Sequence, residues 1–170
     1  MRLGRLMLLG AALVSGNVHA ELLRIAVAGN FASTLERLAP SFEGETGHEL
    51  TLSSGSTGKL YAQIRAGAPF DVFLAADQAR PERLVEEGLA VSDSGFTYAR
   101  GRLALWRPEP SGSVPDADTL REGRFRRLAM ANPELAPYGT AARAVLMRLG
   151  AWDDYRRHIV LGENVGQAYA

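Results

Sequence analysis

Leu22-Leu23-Arg24-Ile25-Ala26-Val27-Ala28-Gly29-Asn30-Phe31 is the stretch that decides the fold. Its first six residues form a short apolar run, partly β-branched, and read as a strand. Ala28-Gly29-Asn30 follows. Phe31, Leu35, Leu38 and Phe42 then recur at helical spacing, so an amphipathic helix is expected over residues 31–43. Asn30 is placed to be its N-cap, and Gly47 closes the segment.

The same unit repeats downstream. Glu49-Leu50-Thr51-Leu52-Ser53 alternates as a strand, and Ser54-Gly55-Ser56-Thr57-Gly58 is a small polar loop. Leu60, Tyr61 and Ile64 open a helix ending near Gly67. Asp71-Val72-Phe73-Leu74-Ala75-Ala76 is a buried type of strand. Beyond Asp77, Pro81 starts a helix carrying Leu84, Val85 and Leu89, with Gly88 near its end. Residues 96–107, with Leu103-Ala104-Leu105-Trp106, read as a longer strand. Pro108, Pro110, Ser111, Gly112, Ser113 and Pro115 mark a passage between lobes. Residues 127–131 form a strand, 132–139 a loop, and Ala141, Ala142, Val145, Leu146 and Leu149 a helix ended by Gly150. Ile159-Val160-Leu161 is the last strand, and a helix begins at Val165. Alternating strands and helices predict an α/β fold of mainly parallel sheets flanked by helices, in two lobes. The expected division is 1–20 signal peptide, 21–99 first lobe, and 100–170 crossover with a partial second lobe. Ligands in such folds sit outside the carboxyl ends of the strands.

Composition excludes several classes. The 170 residues are 46% hydrophobic and 22% charged, too apolar and too evenly charged for disorder. There is no cysteine, hence no disulfide, thiolate metal site or cysteine nucleophile. Nineteen basic residues balance nineteen acidic ones, which leaves no electrostatic footprint for nucleic acid. Arg2 and Arg5, the apolar run Leu6 to Val14 and the small-residue site Val18-His19-Ala20 read as an export signal cleaved after Ala20. The apolar run falls well short of the roughly 20 residues that span a bilayer. A periplasmic location is expected, and loss of the two arginines leaves a mild acidic excess.

The loops favour binding over catalysis. His48 and His158 have no obvious partner, and Asp77 reads as a turn or cap residue. Gly55-Ser56-Thr57-Gly58-Lys59 lacks the spacing of a P-loop and of a nucleophile elbow. Small polar turns at helix starts instead offer unpaired N–H groups, a positive dipole end and hydroxyl donors to an anion. Asn30 and Ser56-Thr57 stand at two such turns, Tyr138-Gly139 and Asn164-Val165 at two more. Taken singly, each reads first as an ordinary cap.

Several segments together are similar to the periplasmic molybdate-binding proteins of ABC importers: residues 25–31, 54–64, 132–139 and 149–152, and above all Gly67-Ala68-Pro69-Phe70-Asp71-Val72-Phe73-Leu74-Ala75-Ala76-Asp77. The resemblance covers residues 22–170. It implies a two-lobed periplasmic-binding-protein fold that closes on molybdate or tungstate, no resident cofactor, and a monomer that delivers its ligand to a membrane permease. By position it implies Asn30, Ser56, Thr57, Tyr138 and Val165 as the oxyanion site, the last two through backbone N–H groups. Asn30 stands where the family commonly has a serine. Family chains also run on past Ala170, through a tyrosine ligand and segments that return to the first lobe. The second lobe and return segments are therefore expected to be incomplete, with binding weakened or absent. The alternatives are a protein for another oxyanion or small organic acid, a non-binding remnant, and an exported hydrolase using Ser56 and Thr57.

Overall fold

The computed structural model describes residues 20–108, 115–122 and 125–170. The export signal and most of the proline-rich passage lie outside the described residues.

β1 (Leu22–Ala28) is the central strand of a three-stranded parallel sheet of order β2-β1-β3, with β2 at Glu49–Gly55 and β3 at Val72–Leu74. A strand flanked on both edges and covered on both faces needs an unbroken apolar run. Ile25, Ala26, Val27 and Ala28 supply it and are all buried. α1 (Ala32–Thr46) links β1 to β2, and α2 (Thr57–Arg65) links β2 to β3. The chain thus steps outward from β1 to one neighbour, then crosses back over β1 to the other. With crossovers of one hand, α1 and α2 lie on opposite faces, and the sheet opens a crevice at β1. α3 (Ala79–Glu86) follows β3 and buries Leu84.

A second sheet pairs β4 (Leu128–Ala131) with β5 (Ile159–Gly162), again in parallel. α4 (Ala117–Arg121) precedes it, α5 (Pro137–Arg148) and α6 (Trp152–Tyr155) connect its strands, and α7 (Val165–Tyr169) follows. Leu120, Met130, Leu146, Ala151 and Tyr155 form its core. The two sheets and their helices are the two lobes. Among the described residues, no helix is long and apolar enough to cross a membrane.

The structure corrects several expectations. Asn30 does not cap α1; Phe31 holds that position, and no side chain caps the helix. The Phe31 N–H folds back to the Ala28 carbonyl at 2.9 Å, so the helix starts one residue later and Asn30 stays outside it. α1 also passes Gly44 and ends at the left-handed Gly47, whose φ is +74°. α2 begins at Thr57, three residues before its first apolar side chain, and α5 begins at Pro137, because proline suits a first helical position. β3 forms a ladder over three residues only.

Residues 96–107 form no strand. Their backbone finds no ladder partner among the described residues, and apolar side chains alone do not make a strand. Phe96, Leu103 and Trp106 are exposed. The segment is instead pinned by side chains. Tyr98 donates to the Ala75 carbonyl at 3.0 Å and packs against Phe31 with ring centres 5.0 Å apart. Gln78 donates to Thr97 Oγ1 at 2.7 Å.

Candidate functional site

The carboxyl ends of both sheets face one cleft. In the first lobe Ala28 pairs with Gly55, so the turns after β1 and β2 emerge side by side, tied by Gly29 N–H to the Gly55 carbonyl at 2.9 Å. In the second lobe Ala131 pairs with Gly162, and Asn132 N–H bonds the Gly162 carbonyl at 2.7 Å. Four turns thereby converge. Asn30, Ser56, Thr57, Tyr138 and Val165 all line the pocket between them, with Ala76 and Asn164.

Each residue is prepared differently. Ser56 and Thr57 are 1% exposed. Ser56 caps α2 by accepting from Lys59 N–H at 3.4 Å. Thr57 Oγ1 accepts from Ala76 N–H at 3.1 Å. A hydroxyl that accepts from the backbone keeps its own proton to donate, and neither hydroxyl donates to a described residue. The N–H groups of Thr57, Tyr138 and Val165 lie in the first turns of α2, α5 and α7, where no intrahelical acceptor exists, and none bonds elsewhere among the described residues. The Asn30 amide is likewise without a protein partner there. Asn164 caps α7 through Oδ1, which accepts from Gln167 N–H at 3.1 Å.

Tyr138 is brought in by a close approach. A Cβ on the next residue, Gly139, would lie 2.3 Å from the Ala131 carbonyl oxygen. Only glycine lets α5 start directly against the end of β4.

No acidic, basic or histidine side chain lines the pocket, among the described residues. His48 and His158 lie at the amino ends of β2 and β5, away from the cleft, and His48 Nδ1 accepts from Glu21 N–H. Asp77 does cap a turn, accepting from Arg80 N–H at 3.1 Å. No group of metal-ligating side chains occurs among the described residues. One ion pair bridges the cleft: Lys59 Nζ lies 3.2 Å from Glu163 Oε2. Beside it, Gly58 N–H donates to the Leu135 carbonyl of the other lobe at 2.9 Å. A larger concavity of about 540 Å³ lies along the outer side of β2, but it is open and takes in none of the five residues.

Sequence reasoning missed the fixed acceptor role of Thr57, because its partner Ala76 follows another strand and carries no sequence signal. It also missed Tyr98. Burial pushes this phenol above its usual range, helped by the neighbouring Tyr138, so Tyr98 remains a protonated donor to Ala75 at neutral pH.

The pocket measures about 10 Å³. That is the scale of a single water-sized particle, far below the roughly 300–1,000 Å³ of sites for organic ligands.

The chain is similar to known proteins over most of its length. It is 43% identical over 161 residues to the molybdate-binding protein ModA of Azotobacter vinelandii, covering 95% of this chain and 64% of that protein. It is 42% identical over 144 residues to the ModA of Rhodobacter capsulatus, covering 85% of this chain and 57% of the other. The solved structure of the Azotobacter vinelandii periplasmic molybdate-binding protein superposes with a TM-score of 0.82 at 44% identity, over 86% of this chain and 64% of that one. The chain thus spans less than two thirds of the length of each. Residues 23–170 match the bacterial extracellular solute-binding protein family, and the chain belongs to that family.

Proposed function

We infer that the chain captures a molybdate or tungstate anion in the interlobe cleft, in the periplasm after export and cleavage at Ala20, for delivery to the permease of an ABC importer. One observation carries this reading: hydrogen-bond donors from both lobes converge on a small cleft with no charged side chain. The protein names of the relatives support the choice of anion.

The physical basis is local. A dianion is held by backbone N–H groups at helix starts and by hydroxyls already committed as donors. Asn30, Ser56 and Thr57 would act from the first lobe, and the N–H groups of Tyr138 and Val165 from the second. A cleft rich in fixed donors disfavours a phosphate that carries a proton, because that proton finds few acceptors there.

Isothermal titration calorimetry of residues 21–170 with molybdate, tungstate, sulfate and phosphate tests the reading, at micromolar and millimolar ligand. Molybdate and tungstate are expected to bind only weakly, at millimolar ligand, and the other two not. Equal binding of sulfate or phosphate would overturn the choice of anion. No binding of any oxyanion would overturn the reading.

A further inference from the structure

Two glycines of the first lobe face the second lobe at points where a side chain would not fit. Gly58 lies in the first turn of α2, and its N–H donates across the cleft to the Leu135 carbonyl at 2.9 Å. A Cβ on Gly58 would sit 2.9 Å from that same oxygen and 3.3 Å from Arg80 Nη2. The arginine is the far end of a flexible side chain and can swing aside. The carbonyl is backbone and moves only with its lobe. Gly29, in the turn after β1, would place a Cβ 3.0 Å from both Cγ and Oδ1 of Asn164, the residue that caps α7.

Backbone conformation explains neither glycine. Gly47, Gly67, Gly88 and Gly150 have positive φ; Gly29 and Gly58 do not. Within α2, alanine is the better helix former at position 58. At Gly58 the obstacle to a methyl group is backbone of the opposite lobe; at Gly29 it is the capping side chain of Asn164, also in the opposite lobe, which would have to give by a few tenths of an ångström.

We propose that Gly58 and Gly29 set the closest approach of the two lobes, and through it the size of the anion that the closed cleft holds. This rests on the oxyanion-binding reading of the same cleft. With a methyl at position 58 the Leu135 oxygen stops short, and the lobes halt a fraction of an ångström to an ångström apart. The Thr57 hydroxyl on one side and the Tyr138 and Val165 N–H groups on the other then no longer reach one small ion together, because hydrogen bonds weaken steeply beyond their narrow range of lengths.

The chain has no cysteine, so Glu45→Cys with Arg148→Cys gives one spin label on an exposed position of each lobe. Pulsed electron resonance then reads interlobe distances in this chain, and in the same chain carrying Gly58→Ala, Gly29→Ala or Gly44→Ala. Gly44 is the control, since a Cβ there meets nothing within 4 Å. Each protein is measured with and without sodium molybdate, beside a thermal melt. Gly58→Ala and Gly29→Ala are expected to shift the distribution to longer distances at an unchanged or higher melting temperature. Molybdate release is expected to quicken roughly tenfold, as the closed population falls by that factor. Distributions that superimpose on the Gly44→Ala control overturn the proposal. So does a lowered melting temperature at unchanged distance, which would locate the clash inside one lobe. If molybdate has no effect on the parent, the binding reading fails, while the comparison of distances without ligand still decides the role of the glycines.

Discussion

Thr57 is the residue on which cleft and scaffold meet. Its hydroxyl accepts the Ala76 N–H and has its own proton left over. Thr57→Val keeps the shape and removes both functions. A half-buried N–H then loses its acceptor, at a cost of about 1 kcal/mol, read as a lower midpoint in denaturant. Thr57→Ser is expected to restore most of that stability and also the molybdate heat in calorimetry. Thr57 was legible as a donor because it sits in a small polar loop. Its second bond was not, because Ala76 follows a different strand. Asn30 shows the opposite failure. A cap was the obvious reading of an asparagine before an apolar helix, but one turn of backbone from Ala28 to Phe31 displaced the helix start and left the amide facing the cleft.

At the scale of the element, two helix starts make separate predictions. α5 depends on Gly139 for its seat on β4, and the atoms a methyl would strike are backbone. Gly139→Ala is expected to destabilise the protein by about 1–3 kcal/mol, in the manner of an overpacked core, measured by chemical denaturation. α4 depends on Asp116, which accepts at 2.9 Å from both the N–H and the hydroxyl of Thr119. These bonds hold its carboxyl below the usual range. The helix start is therefore supported above the ordinary carboxylate value of about 4, and that support is lost as pH falls through the lowered folded value. The protection of the Thr119 amide relative to its intrinsic exchange is expected to fall only on that acid side, and Asp116→Asn to remove most of that loss. The central elements of the fold were legible because strand burial imposes an apolar run, as in residues 25–28. The short helices α4 and α6 were not, since four or five residues give no periodicity to read. Residues 96–107 show that apolar pattern needs a partner backbone before it becomes a strand.

For the molecule as a whole, the contacts across the cleft differ in kind. The Lys59–Glu163 pair is conspicuous, yet the lysine is more than half exposed. Such pairs contribute at most about 1 kcal/mol and are screened by salt. Lys59→Gln is expected to leave the interlobe distance unchanged at physiological ionic strength and to alter it only at low salt, read with the same spin-label pair. Two lobes and a cleft were legible from the alternation of strands and helices. How the lobes meet was not, because it depends on what glycine leaves out.

One peptide group joins several of these observations. The unit between Ala75 and Ala76 accepts from Tyr98 through its C=O and donates to Thr57 through its N–H. Tyrosine proton, peptide dipole and threonine proton therefore point the same way, from the connecting segment toward the cleft. Bonds aligned head to tail polarise one another. The connection between the lobes thus acts as the upstream end of a one-way electrical series whose last terminal is the Thr57 hydroxyl. Tyr98→Phe is expected to weaken anion binding without touching the anion, and to do so while the Ala76 to Thr57 bond stays in place by NMR.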